Sequence, residues 1–337
     1  MGLKRGKIYL YHAISSYQLL CAMTHARNNC KGKAILILPD FIVEKYPDYE
    51  RLVELGFFSE VYLFPYLTIE HNVETVNEKV IDAYKRIIPY KIRRFDEIYV
   101  WGAHFYFSLY LIKYRKKFVF GEDASGMLQR SEELFSNLSQ RFPIHAQIMK
   151  KNNLHNGMNK YVKYRMCLIP SIKTDMYFNI CDFLEKLSDK DKKAICEFFN
   201  VHRIQKPEKG KKVALLLTQQ LAGLGAMSEK EQKEVYRMFF DKFLYDYETI
   251  YIKKHPDDSV TYFDMFEHVV EISECFPAEL IPYIFPNANE VDLYTISSTC
   301  YEVIKKYFRT GMSLFESQEK FMDHISDQYK FLKEVLS

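Results

Sequence analysis

The sequence predicts an α/β protein made of two Rossmann-like domains, and three observations lead there. Short, nearly continuous apolar runs recur from residue 7 to 126 and again from 212 to 307, as strands buried on both faces of a parallel sheet require. Amphipathic stretches, several opened by serine, separate the runs, which is the alternation of a parallel α/β sheet. Between the two series, RIQKPEKGKK (203–212) brings proline, glycine and dense charge together and reads as a linker.

The elements follow in order. KIYLYHA (7–13) reads as a strand, SSYQLLCAMTHARNN (15–29) as a serine-capped helix, KAILILPD (33–40) as a buried strand and EVYLFPY (60–66) as a third. Residues 71–90 read as a helix, EIYVWG (97–102) as the fourth strand, and KFVFGEDASG (117–126) as the fifth with its loop. The middle, 127–205, reads as mostly helical and Lys-rich, including a capped helix at 187–200. The second series runs strand KVALLLTQ (212–219), helix 228–244, strand ETIYIKKHP (248–256), strand VVEIS (269–273), short helix AELIPYIF (278–285), then strand, loop and helix over 290–307. A final helix is expected over about 312–335. The domains are therefore placed at 1–202, with a helical insertion, and at 212–337, with a C-terminal helix, joined by a linker at 203–211.

A length of 337 residues suits two domains, and 48% hydrophobic with 27% charged residues excludes a disordered chain. The net charge of +3 gives no support to nucleic-acid binding. Basic clusters at 113–117, 160–165 and 206–212 each read as solvated surface or linker. Together they would suit acidic glycans or peripheral association with the inner membrane face; a homodimer is compatible with the same surface. Seven cysteines, odd in number and without CxxC, read as reduced thiols in a cytoplasmic protein. The start MGLKRGKIYLYHA lacks an apolar h-region, so no signal peptide is expected, and no window approaches a membrane span. Neither GxGxxG nor GxxxxGK[ST] occurs.

Candidate functional residues cluster at strand ends, where ligands bind in such sheets. YTISSTCYEV puts Ser297, Ser298 and Thr299 where a strand turns into a helix; hydroxyls with free helix amides make a phosphate site, or the serines simply cap the helix. YIKKHPDD delivers His255, stiffened by Pro256, beside two lysines. Strand alternation puts Lys253 and His255 on one side and Lys254 on the other, so Lys253 is the ligand candidate; the plainer alternative is a solvated turn. Glu279, at the start of a short helix, would accept hydrogen bonds from ribose hydroxyls or merely complement the helix dipole. Glu122 and Asp123 end the fifth strand, as a general base would or as an ordinary acidic turn. The single DxD, Asp189-Lys190-Asp191, lies at a helix start, where capping explains it, so no metal is expected.

These residues, in this order, resemble the bacterial sialyltransferases of glycosyltransferase family 52 and the related polysialyltransferase-like group. The matching motifs are acidic-acidic-Gly (Glu122, Asp123, Gly126), His-Pro (His255, Pro256) and Ser-Ser/Thr (Ser297, Ser298). The strand LLLTQQL (215–221) also resembles that group. The resemblance spans residues 117–305 and departs where Ala124-Ser125 separate the acid pair from its glycine, which leaves the choice of base between Asp123 and Glu122 open. It implies a GT-B type fold, two Rossmann-like domains facing a cleft. It also implies an inverting, metal-independent transfer of sialic acid from CMP-sialic acid to a sugar hydroxyl of a lipooligosaccharide or capsule. No cofactor is implied beyond that donor, the partners being a nucleotide-sugar donor and a glycan acceptor. Asp123 would take the acceptor proton and His255 would serve the departing phosphate with Ser297 and Ser298. Lys253 and Glu279 would hold the nucleotide. The alternatives are a transferase of the same fold using CMP-Kdo or a UDP-hexose, and a non-catalytic glycan-binding scaffold.

Overall fold

The computed structural model describes residues 6–69, 75–102, 106–201, 210–266, 268–272, 275–285, 287–315 and 327–337. The chain divides into two compact units, residues 1–199 and 200–337.

In the first unit the described residues form a seven-stranded parallel sheet. Its strands are β1 (Lys7–His12), β2 (Gly32–Pro39), β3 (Glu60–Phe64), β4 (Glu97–Trp101), β5 (Phe118–Gly121), β6 (Val162–Cys167) and β7 (Asp175–Tyr177). They lie in the order β3-β2-β1-β4-β5-β6-β7. The winding direction reverses between β1 and β4, so the carboxyl ends of these strands border the crevice typical of ligand sites. The connecting helices are α1 (Ser16–Asn29), α2 (Ile42–Lys45), α3 (Arg51–Glu54), α4 (Val76–Ile87), α5 (Phe107–Lys113), α6 (Ser131–Arg141), α7 (Pro143–Lys151), α8 (Ile180–Glu185) and α9 (Asp189–Phe198). β2 is buried from Ala34 to Pro39, which is why its sequence reads as an unbroken apolar run. One core cluster joins Leu10, Ile35, Val100 and Phe120 of the sheet to Val80, Tyr84 and Phe107 of the helices.

The second unit is a five-stranded parallel sheet among the described residues, in the order β10-β9-β8-β11-β12. Its strands are β8 (Val213–Leu217), β9 (Thr249–Lys253), β10 (Val269–Ile272), β11 (Val291–Thr295) and β12 (Thr310–Ser313). Here the order reverses between β8 and β11. The helices are α10 (Glu229–Phe243), α11 (Ile281–Ile284), α12 (Thr299–Ile304) and α13 (Gln328–Leu336). α10 opens with a reciprocal cap: Ser228 accepts from the Glu231 amide and Glu231 accepts from Ser228. Val235 and Phe239 of α10 and Leu332 of α13 belong to the core cluster built on Leu216 and Ile252.

Two expectations need correction. The middle segment carries helices α6 to α9 as expected, but it also holds two strands, β6 and β7, which extend the first sheet. Its charges hide the strand, yet Arg165 is buried and paired with Asp175 at 2.7 Å, and Lys163 meets Glu97 at 3.0 Å. The basic cluster at 160–165 is therefore not an open cationic surface. The expected terminal helix of 312–335 begins instead with the end of β12, and among the described residues its helical part is α13. Residues 316–326, the linker residues 203–209, residues 71–74 of the helix expected at 71–90 and Ser273 lie outside the described residues. Among the described residues no helix is long and apolar enough to cross a membrane.

Candidate functional site

In the first unit the acid motif follows the end of β5, which stops at Gly121, so Glu122 and Asp123 open the loop and do not continue the strand alternation. Glu122 is 1% exposed. Its carboxyl accepts the Leu168 amide at 2.8 Å and, through Oε2, the Leu128 amide at 3.5 Å. Gly126 holds a left-handed φ of 77°, a conformation favourable to glycine, and its amide also turns toward Glu122. Burial pushes the Glu122 carboxyl up to about 7, against these amides and with the nearby Asp123 charge. Asp123 is half-buried and accepts through Oδ1 from Gln18 Nε2 at 2.7 Å. It lines a small cavity of about 10 Å³ with Leu128, Met149 and His155. The Nδ1 of His155 is buried without a hydrogen-bond partner.

In the second unit the strand ends converge in register. Lys253 of β9 and Thr295 of β11 both pair with Leu217 of β8, placing the residues that follow them roughly 10 Å apart across one sheet edge. Lys253 is 5% exposed, its ammonium 4.5 Å from the centre of the Phe276 ring. His255 is half-buried, and its Nδ1 accepts the Asp257 amide at 3.2 Å. A backbone N–H can only donate, so the neutral ring carries its proton on Nε2. Pro256 is exposed within the turn closed by the Asp258 amide on the His255 carbonyl at 2.9 Å.

Asp258 anchors that turn. Its carboxyl accepts from Thr218 Oγ1 at 2.7 Å, Gln232 Nε2 at 2.9 Å, Tyr262 OH at 2.9 Å and the Val260 amide at 3.1 Å. All three side-chain donors are buried. The network ties the loop after β8 and helix α10 to the His-Pro turn.

Glu279 is 5% exposed. Burial pushes its carboxyl up to about 7, against a backbone amide and the Cys300 thiol. That contact links the segment after β10 to α12. Ser297, two residues past β11, is 2% exposed, and its hydroxyl is buried without a hydrogen-bond partner. Ser298 stands at the cap position of α12 but makes no side-chain cap, and Thr299 opens the helix, half-buried. The capping alternative read from the sequence therefore does not account for the two serines.

All nine candidate residues lie at the carboxyl ends of strands, Glu122 and Asp123 in one unit and the other seven in the other. Residues that sequence reasoning left unassigned are Gln18, Asp258, Gln232 and Tyr262. Asp258 stood in the quoted HPDD, but nothing local separates a buried acid from a solvated one. Of the DxD acids, Asp191 donates its amide to the Ser188 cap and pairs with Arg27 at 2.7 Å, while the exposed Asp189 stands in the first turn of α9, 3.9 Å from Lys192.

A solved structure of UDP-GlcNAc 2-epimerase from Neisseria meningitidis, bound to UDP-GlcNAc, is similar in fold. It has a TM-score of 0.53 at 14% identity, over 97% of this chain and 91% of that one. The MnaA–UDP structure from S. aureus is similar at a TM-score of 0.52 and 12% identity, over 98% of this chain and 88% of that one. At such identities the likeness shows the fold, two Rossmann-like units of the GT-B type. An uncharacterized protein of Haemophilus influenzae is 26% identical over 196 residues, 56% of this chain and 60% of that relative's length. The match thus spans well under the whole of that relative. The family model described as glycosyltransferase family 52 matches residues 57–307, which include the acid, His-Pro and Ser-Ser motifs. The chain belongs to glycosyltransferase family 52.

Proposed function

We propose that this protein transfers sialic acid from CMP-sialic acid to a sugar hydroxyl of a bacterial surface glycan, with inversion and without a metal. The observation that carries this reading is Ser297: a buried hydroxyl with no partner, next to the winding reversal of a sheet whose adjacent strand ends present Lys253, His255 and Glu279. An unsatisfied buried hydroxyl costs about 1–3 kcal/mol, and a phosphate oxygen at this edge would relieve it. CMP is the nucleotide part of the proposed donor, held on the second unit. The Nε2–H of His255 donates to its departing phosphate, Lys253 supplies charge, and Glu279 meets the ribose hydroxyls. Ser297 and Ser298 complete the phosphate shell, hydroxyls being the main donors there because α12 is only six residues long.

Asp123 of the first unit takes the acceptor proton. The donor already bears a carboxylate beside its reacting carbon, so the transition state is cationic and needs no protein nucleophile. Donors fixed in advance can stabilise the leaving monophosphate without a metal.

The test is CMP release in the presence of EDTA, with a panel of sugar acceptors and with CMP-sialic acid, CMP-Kdo and UDP-hexoses as donors. Acceptor-dependent release from CMP-sialic acid, undiminished by the chelator, is expected. Turnover of another donor alone would leave the fold and replace the substrate. Activity lost on chelation and restored by Mg²⁺ or Mn²⁺ would overturn the mechanism. No turnover with any donor would point to a glycan-binding scaffold.

A further inference from the structure

We propose that Gln18 is a positioning residue for Asp123, its amide holding the carboxyl in one orientation for proton transfer. This rests on the reading of Asp123 as the general base. Gln18 sits in the first turn of α1, just after β1, beside the winding reversal of the first sheet, and it is 1% exposed. Its Oε1 accepts the Ile14 amide at 2.9 Å, and its Nε2 donates to Asp123 Oδ1 at 2.7 Å.

The direction of this chain is fixed. The Ile14 N–H can only donate, so the oxygen of the Gln18 amide must face it, and the nitrogen must face Asp123. The reversed amide would set donor against donor and acceptor against acceptor. Backbone geometry closes the third side. Gly102, after β4, has a left-handed φ of 67°, and a Cβ there would stand 2.8 Å from Gln18 Oε1 and 2.7 Å from Ile14 Cγ1. A second tie joins the same two segments, Tyr17 OH to Ser125 Oγ at 3.1 Å. Among the described residues, titratable groups around Asp123 include Glu122 before it, His155 across the small cavity, and Tyr17 on α1. Gln18 contributes no charge of its own, only a directed donor.

Two variants separate positioning from mere packing. Gln18→Met removes both hydrogen bonds. Gln18→Glu keeps an acceptor for the Ile14 amide and replaces the donor to Asp123 with a carboxyl. The readouts are kcat, donor KM and CMP affinity. We expect kcat to fall on the order of 10–100-fold, as misplaced reacting groups do, with CMP affinity unchanged. Donor KM should stay within about twofold of wild type, so that the loss falls on kcat. If Gln18→Met does not fold, Gln18→Glu carries the test, since it retains the Ile14 bond.

A folded Gln18→Met protein that keeps wild-type kcat, or whose loss appears in donor KM and CMP affinity instead of kcat, overturns the proposal. Asp123→Asn, with Gln18 intact, is the control. If it is inactive while the Gln18 variants keep wild-type kcat, only the positioning role falls. If it keeps full turnover, the general-base reading falls and the positioning role with it.

Discussion

The two strand-end clusters differ in which polar group they leave idle: in the first the motif acids are engaged and the orphan is His155 Nδ1 at the small cavity, whereas in the second it is the motif hydroxyl of Ser297 itself. In the first unit, Glu122 takes several backbone amides, Asp123 takes the Gln18 amide and Tyr17 meets Ser125. In the second, the His-Pro turn is held just as firmly by Asp258, yet the neighbouring Ser297 hydroxyl is buried and idle. Under the proposed reading the difference follows from the chemistry. A general base must be aligned before the acceptor arrives, and its alignment costs nothing in the empty enzyme. A phosphate site keeps donors in reserve, and their stabilisation appears only when the anion fills it.

The comparison can be broken most directly at the base. Asp123→Asn is expected to lower the rate by a factor on the order of 10²–10⁴ while CMP affinity holds; Glu122→Gln should cost less, because its carboxyl is occupied by backbone amides. A dead Glu122→Gln beside an active Asp123→Asn would exchange the two roles.

Next in size is Asp258→Ala, which takes the acceptor from the buried Thr218 and Tyr262 hydroxyls, while Gln232 Nε2 keeps the Gln219 carbonyl and the Tyr262 oxygen. A loss of about 3 kcal/mol in denaturant unfolding is expected, together with weaker CMP binding as the His-Pro turn loosens. Unchanged CMP affinity in a destabilised protein would limit Asp258 to a structural role.

Glu279 sharpens the second unit by its pH dependence. Its folded value of about 7 lies above the ordinary 4.5, so the folded state holds the proton more tightly. Stability is therefore fullest below about pH 4.5 and falls as pH rises toward 7. Glu279→Gln should remove that fall, so the variant gains on wild type by up to about 3 kcal/mol above pH 7. Parallel stability curves for the two proteins would show that Glu279 is not the group responsible.

The smallest effect is the most diagnostic. Ser297→Ala should weaken CMP binding by about 1–2 kcal/mol while leaving the empty protein as stable or slightly more so, since the hydroxyl it removes has no partner to lose. Loss of stability without CMP would mean the hydroxyl has a structural partner.

Much of the fold was legible because its strands are buried on both faces. AILILP in β2 and VALLL in β8 carry no residue that suits any other environment. β6 was hidden by Lys163 and Arg165, whose partners lie on other strands. β12 was hidden because TGMS is short and weakly apolar. The candidate residues were legible because each follows an apolar run at a strand end. Their supports were not: Gln18 stands 105 residues from Asp123, and Thr218 stands 40 from Asp258. No local pattern encodes a hydrogen bond across such distances.

A crystal soaked with CMP would show where the nucleotide sits. It is expected on the second unit, with phosphate oxygens at hydrogen-bond distance, about 2.6–3.0 Å, from Ser297 Oγ and His255 Nε2. CMP seated on the first unit, or absent from the protein at saturating concentration, would contradict the proposed site.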